Sequence, residues 1–223
     1  MAFGPIMRMK VGELAIELAP IAKEDLTAFI SPGMQQASVT RYLGVPGAPV
    51  IEDEEDWYAK TRASKDGLTW GIWDVTDDRK RLLIGTTALN SMTKDHTIQA
   101  TSGSMISNKV YWGKGIASAI HKARTWYGFE HMGLTRIKSA VIHGNIASRK
   151  ALEKSGYALV YIERNTVFAD GELRHQDNLE CLNPAESMWN VWWGTDTPTA
   201  TSLAARDKTR EAMKWAKENV TLL

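Results

Sequence analysis

The chain has 223 residues, 43% apolar and 24% charged, an ordinary globular composition with room for one large domain or a domain with an appendage. Its 27 Lys and Arg against 26 Asp and Glu leave a formal charge of +1, so no overall field recruits nucleic acid or an anionic membrane. One cysteine excludes an internal disulfide, no apolar run is long enough to span a bilayer, and residues 1–12 lack the apolar core of a secretion signal, so a cytoplasmic protein is expected.

Residues 14–20 alternate in polarity and stop at Pro20, which reads as a first strand. Residues 23–30 read as a short helix, and residues 31–49 as a loop rich in Gly and Pro, long enough within a compact domain to suggest a function. A second helix is expected over residues 51–64. Its first turn carries Glu52, Asp53, Glu54, Glu55 and Asp56, which complement the helix dipole, the alternative being a patch that attracts the acceptor. Residues 68–75 and 81–92 read as paired strands about Asp77-Asp78, with Trp57, Trp70 and Trp73 as core or groove wall, and residues 98–107 as the next strand.

That strand runs into Tyr111-Trp112-Gly113-Lys114-Gly115-Ile116-Ala117-Ser118, a glycine-rich turn that opens directly into a helix and is followed by the run Ala119 to Met132. Such a turn leaves backbone N–H groups unpaired beside the positive end of the helix dipole, and Gly113 and Gly115 have no Cβ to keep an anion away, so the stretch suits a phosphate. Ile116, Ile120, Ala123 and Tyr127 form the helix's apolar stripe. The turn matches neither the Rossmann nor the Walker pattern.

A strand over residues 137–142 leads to Asn145-Ile146-Ala147-Ser148-Arg149-Lys150-Ala151-Leu152-Glu153-Lys154-Ser155-Gly156-Tyr157, a helix with Asn145 at its start and Gly156 at its end. Residues 157–168 and 175–182 then read as a hairpin across Asp170-Gly171. Beyond Pro184 come Trp189, Trp192 and Trp193 and a charged helix over residues 199–220. This tail either packs its tryptophans on the domain, forms a homodimer contact, or closes over a groove.

The order of these two stretches, Arg/Gln-x-x-Gly-x-Gly/Ala opening a helix and then Asn-x-x-Ser-x-x-x-x-Glu-Lys-x-Gly-Phe/Tyr after a strand, resembles the GNAT superfamily of N-acetyltransferases. The closest flavour is its RimJ/RimL-like branch of ribosomal-protein-alanine acetyltransferases. Trp112 is read at the place of the pattern's Arg or Gln. The resemblance implies an α/β (α+β) fold with a mixed, mostly antiparallel central sheet, splayed between the strands at residues 98–107 and 136–143, and helices on both faces. It assigns residues 1–184 to the acetyltransferase domain and 185–223 to a C-terminal extension. It implies acetyl-coenzyme A as cosubstrate, with its diphosphate on the amides of Gly113, Lys114, Gly115, Ile116, Ala117 and Ser118, and its pantetheine arm paired like a strand with the backbone at Met105 and Ile106. Asn145 and Ser148 would stand near the thioester, and Lys154 near the 3′-phosphate. The alternative for Ser148 is a small solvent-facing helix residue, and for Lys154 a surface lysine.

Acetyl transfer asks for a neutral amine at the carbonyl, a donor for the oxyanion and a route for the amine proton. The superfamily's usual tyrosine acid falls at Leu152, and the branch's glutamate at Ser102, beside Gly103, with Gln99 and Thr101 nearby. His143, at the end of a strand, is the best titratable candidate for a base. His96, His121, His131 and His175 show no metal-ligand spacing, and Cys181 reads as a small buried residue. The acceptor expected is the α-amine of a peptide or protein N-terminus, or another amine of low pKa. The alternatives are a small-molecule amine, such as an antibiotic or amino-acid derivative, and a non-catalytic module that binds coenzyme A.

Overall fold

The computed structural model describes residues 2–44, 47–93, 97–169 and 171–223. It opens on a strand absent from the sequence reading, β1 (Met7–Val11), hairpinned to β2 (Leu14–Ala19) with Met7 opposite Leu18 and Val11 opposite Leu14. β1 alternates Met7 and Met9 inward with Arg8 and Lys10 outward, the period of a half-buried strand. Gly12, at φ +61°, makes the turn.

Lys23–Asp25, α1 (Thr27–Phe29), a wide turn at Ile30–Met34 and α2 (Ala37–Thr40) cross one face of the sheet in short pieces, so the segment expected as loop over residues 31–49 is partly helical. α3 (Ile51–Ala63) follows, and Asp53 accepts from the Val50 amide at 2.9 Å, closing its first turn. β3 (Leu68–Asp74) and β4 (Leu82–Thr93) form the expected antiparallel pair, then β5 (Gln99–Ile106) leads to α4 (Ile116–Glu130). β6 (Arg136–Ile142), α5 (Ile146–Glu153), β7 (Ala158–Ala169) and β8 (Glu172–Leu182) complete the pattern; Asp170 of the expected hairpin turn lies outside the described residues.

The strands form one nine-stranded sheet in the order β7-β8-β6-β5-β4-β3-β2-β1-β9, antiparallel except for β5 beside β6. Helices cover both faces. On one, Ile116, Ala119, Ile120 and Ala123 of α4 enter a core with Met7, Ile16, Leu18, Trp70, Ile84 and Leu89; each large aliphatic side chain so buried contributes about 1.5–3 kcal/mol. On the other, Trp57 and Tyr58 of α3 pack on Phe29, Trp73 and Leu83.

After Pro184 the chain forms α6 (Glu186–Trp193), α7 (Ala200–Asn219) and β9 (Val220–Leu222). α7 lies along α4, with Lys217 paired to Glu130 at 2.6 Å, and β9 adds a final strand beside β1. No helix among the described residues is long and apolar enough to cross a membrane.

Candidate functional site

β4 holds β5 from Gln99 to Ile106, and β8 holds β6 from Arg136 to Ile142. Between β5 and β6, however, pairing runs only from Gln99/Arg136 to Ser102/Ser139. The facing edges of Gly103–Ile106 and Ala140–Ile142 therefore carry backbone groups that no strand satisfies, and an extended chain can enter there as an added strand. The expected splay is present. Its closed end is fixed by Arg136, which donates to Gln99 at 2.9 and 2.5 Å and to Glu180 at 3.3 Å, so Gln99 is engaged structurally. Ser102, in the place of the missing glutamate, is 6% exposed and its hydroxyl has no partner among the described residues.

The open end of the splay leads to the glycine turn. Tyr111 anchors it by donating to Asp74 at 2.7 Å, and burial together with that bond pushes the phenol up to about 12. Trp112 donates its indole N–H to the Ile106 carbonyl at 2.9 Å, so that acceptor is already occupied within the stretch expected to pair with pantetheine, and Met105 faces a cleft. Counted three residues back from Gly113, the Arg/Gln position of the motif is Val110 rather than Trp112, which is a correction to the sequence reading. Gly113 (φ +76°) and Gly115 (φ +81°) both use the left-handed region, and a Cβ at either would meet nothing closer than 3.9 Å. Gly115 is the N-cap of α4 and brings no side chain to it. Its carbonyl accepts the first intrahelical bond, from Ala119 at 3.1 Å, so the amides of Ile116, Ala117 and Ser118 have no helical partner. The Lys114 ammonium lies 5.5 Å from the Tyr111 ring centroid. This open, positive helix end fits a diphosphate.

Across the splay, Asn145 caps α5 by accepting from the Ser148 amide at 3.3 Å. The Ser148 hydroxyl is half-buried and has no hydrogen-bond partner among the described residues. Leu152, in the place of the tyrosine acid, is 1% exposed. Lys154 is exposed at the far end of α5, about 12 Å along the helix from its start. His143 follows β6, its Nε2 2.5 Å from Asp177 Oδ1, while Arg149 of α5 pairs with the other oxygen of Asp177. With Nε2–H donated to the carboxylate, Nδ1 carries the free lone pair. His121 is enclosed on α4, where burial and then Arg124 hold its pKa well below the usual imidazole value, and His96 lies outside the described residues. Cys181 is fully buried in β8, its thiol pushed up to about 12 by burial. No group of His, Cys, Asp and Glu among the described residues is arranged to hold a metal.

Beside the splay, on the α3 face, opens a cleft of about 510 Å³. Leu43 and Trp57 wall it, and its floor is the backbone and short side chains of β3, β4 and β5, with Thr86, Asn90, Gly103 and Ser104 prominent. No charged or imidazole side chain is among its described lining residues. Trp70, expected as core or groove wall, is fully buried and donates to the Pro5 carbonyl at 2.9 Å, and no described residue of the tail lines the cleft.

Comparison with known proteins bears on this arrangement. The sequence model of the acetyltransferase (GNAT) domain matches residues 15–158. The chain is 29% identical over 151 residues to YoaA, an uncharacterized N-acetyltransferase of Bacillus subtilis (strain 168), across 66% of this chain and 82% of that one. It superposes on RimJ of Mycobacterium smegmatis in complex with CoA-disulfide with a TM-score of 0.71 at 16% identity, across 99% of this chain and 97% of that one. It also superposes on spermidine N-acetyltransferase of Vibrio cholerae in complex with CoA and spermine with a TM-score of 0.67 at 19% identity, across 75% and 95% of the two chains. At such identities the two structures speak for the fold alone.

Proposed function

Because the chain belongs to the acetyltransferase (GNAT) family, and is thus an N-acetyltransferase with acetyl-coenzyme A as its cosubstrate, we propose that its acceptor is a primary amine of low pKa, first of all the α-amine of a peptide or protein N-terminus. The observation that carries this reading is the neutral lining of the cleft beside the splay. A polyamine or a lysine side chain arrives as a cation and calls for carboxylates to receive it. A cleft of hydroxyls, one amide and two hydrophobic walls suits an amine that arrives uncharged. An α-amine has a pKa of roughly 7.7–8.0 against about 10.4 for lysine, so an appreciable fraction is already neutral and no strong base is required.

The residues present fit the cofactor. The amides of residues 113–118 would take the diphosphate, the splayed edge of β5 toward Met105 and Ile106 the pantetheine amides, with the Ile106 carbonyl already held by Trp112, and Lys154 the 3′-phosphate. Bound there, acetyl-coenzyme A supplies an activated acetyl thioester. Asn145 and Ser148 would face its sulfur from α5, the free Ser148 hydroxyl serving as donor. His143, oriented by Asp177, does not line the cleft, so it would receive the amine proton only by way of water. Acetylation of an α-amine would be the activity of the RimJ/RimL-like branch that the two motifs resemble.

A second reading is favoured by one observation: Trp57 walls a cleft whose volume is that of a small-molecule site, which suits a compact amine such as an amino-acid derivative. A competitive assay offering peptide N-termini, lysine peptides, aminoglycosides and polyamines with acetyl-coenzyme A separates these acceptors. The α-amine is expected to be acetylated first, and exclusive acetylation of lysine or polyamine would refute the low-pKa argument.

A further inference from the structure

Arg124, midway along α4, is a fully buried cation, 0% exposed. Its partners are neutral: the two N–H groups of Nη1 are shared among Thr87 Oγ1 at 2.7 Å, the Gly103 carbonyl at 2.9 Å and Ser104 Oγ at 2.8 Å, Nη2 donates to His121 Nδ1 at 2.7 Å, and Nε has no partner among the described residues. The titratable groups that face it from α4, β8 and the residue before β7 are His121, Cys181 and Tyr157. Burial raises the thiol and the phenol, and burial with Arg124 lowers the imidazole, so all three are uncharged near neutral pH. The contrast within the molecule is Glu17, a buried carboxylate held between Arg8 at 2.7 Å and Arg81 at 2.8 Å. Arg124 has no such counter-ion among the described residues.

A buried charge without a partner is costly, and its location is therefore informative. Gly103 and Ser104 are the first residues of β5 beyond the last β5–β6 pair, and together with Thr87 they also line the acceptor cleft. The guanidinium lies directly beneath the point where splay and cleft meet.

Building on the reading of the splay as the acetyl-coenzyme A site, we propose that Arg124 is a positioning residue that sets a positive field at the apex, favouring a thiolate leaving group and an unprotonated acceptor amine. In the transfer, the amine nitrogen bonds to the thioester carbonyl carbon and negative charge forms on the carbonyl oxygen. The carbonyl then re-forms as the C–S bond breaks with its electron pair going to sulfur, and the amine proton leaves to water. A cation in a low-dielectric setting stabilises the charge on oxygen and sulfur and opposes protonation of the amine before attack. It thereby stands in for both absent groups, the tyrosine at Leu152 and the glutamate at Ser102. Arg124 touches neither reactant; it acts across Gly103 and Ser104, whose positions it also fixes.

The test uses the full chain with coenzyme A, whose bound thiol is titrated through its ultraviolet thiolate band. The signal is read as a difference against desulfo-coenzyme A, so that the tyrosines and Cys181 cancel. The bound thiol is expected to ionise about one pH unit or more below that of free coenzyme A. Arg124→Lys should retain most of the shift, and Arg124→Met should lose it while still binding coenzyme A. A wild-type complex whose thiol titrates as free coenzyme A does would overturn the proposal without any variant, as would an undiminished shift in Arg124→Met. Failure of the wild type to bind coenzyme A would instead remove the reading of the splay on which the proposal rests.

Discussion

α4 and α7 lie side by side on one face of the sheet and begin in opposite ways. α7 opens on Thr199, whose hydroxyl accepts from the Ser202 amide at 3.1 Å and meets the Ser202 hydroxyl at 2.9 Å. α4 opens on Gly115, which has no side chain to offer, and leaves three first-turn amides bare. A side-chain cap is typically worth about 1 kcal/mol, which α4 forgoes, while the burial of Ile116, Ala119 and Ile120 keeps it in place. The difference teaches that α7, which only packs, satisfies its own N-terminus. α4, whose N-terminus is left open at the mouth of a splayed sheet, is available to an anion.

The largest expected effect comes from closing the open end. Gly115→Asp puts a carboxylate where the diphosphate is proposed to sit and a side chain at φ +81°, and should weaken coenzyme A binding by about 100-fold or more in calorimetry. Unchanged affinity would reduce the segment to an ordinary turn. Tyr111→Phe removes the 2.7 Å tether to Asp74 and should cost about 1 kcal/mol of stability with a several-fold loss of coenzyme A affinity. The converse experiment is Thr199→Ala, which should lower stability by about 1 kcal/mol in denaturant unfolding and leave coenzyme A affinity as it was. A smaller effect is expected at Glu54, where burial and then Asp53 raise the carboxyl above its ordinary value. A carboxyl whose folded pKa is raised contributes most below its unfolded value of about 4.3 and loses that contribution as pH rises through the folded value. Glu54→Gln should accordingly be more stable than wild type at neutral pH, by up to about 1 kcal/mol, with the advantage vanishing towards pH 4.

Much of this architecture is legible in the sequence because its signals are local. The glycine turn, the helix behind it and the Asn145–Gly156 stretch each carry their own caps and periodicity, and their order places the splay between β5 and β6. β1 is short, but its Met-Arg-Met-Lys-Val alternation before Gly12 is a readable strand signal. The pairing of Val220–Leu222 with β1 spans almost the whole chain, and no local pattern encodes such a contact. Arg124 stands four residues after Ile120, on the inward stripe of α4. A charge at that step of an apolar period was the available clue to a buried cation. Glu54 was hidden for the opposite reason: in a run of five acidic residues the dipole account suffices for all, and only packing singles out the one that is buried.

The central claim is that the bare amides at the start of α4 bind the cofactor's diphosphate. Amide hydrogen exchange with and without coenzyme A tests it most directly. Ile116, Ala117 and Ser118 should exchange quickly in the free protein and become protected by coenzyme A together with the splayed edge at Gly103–Ile106, while the capped first turn of α7 stays as it was. Coenzyme A binding with no change at residues 116–118, or protection confined to some other surface, would contradict the account.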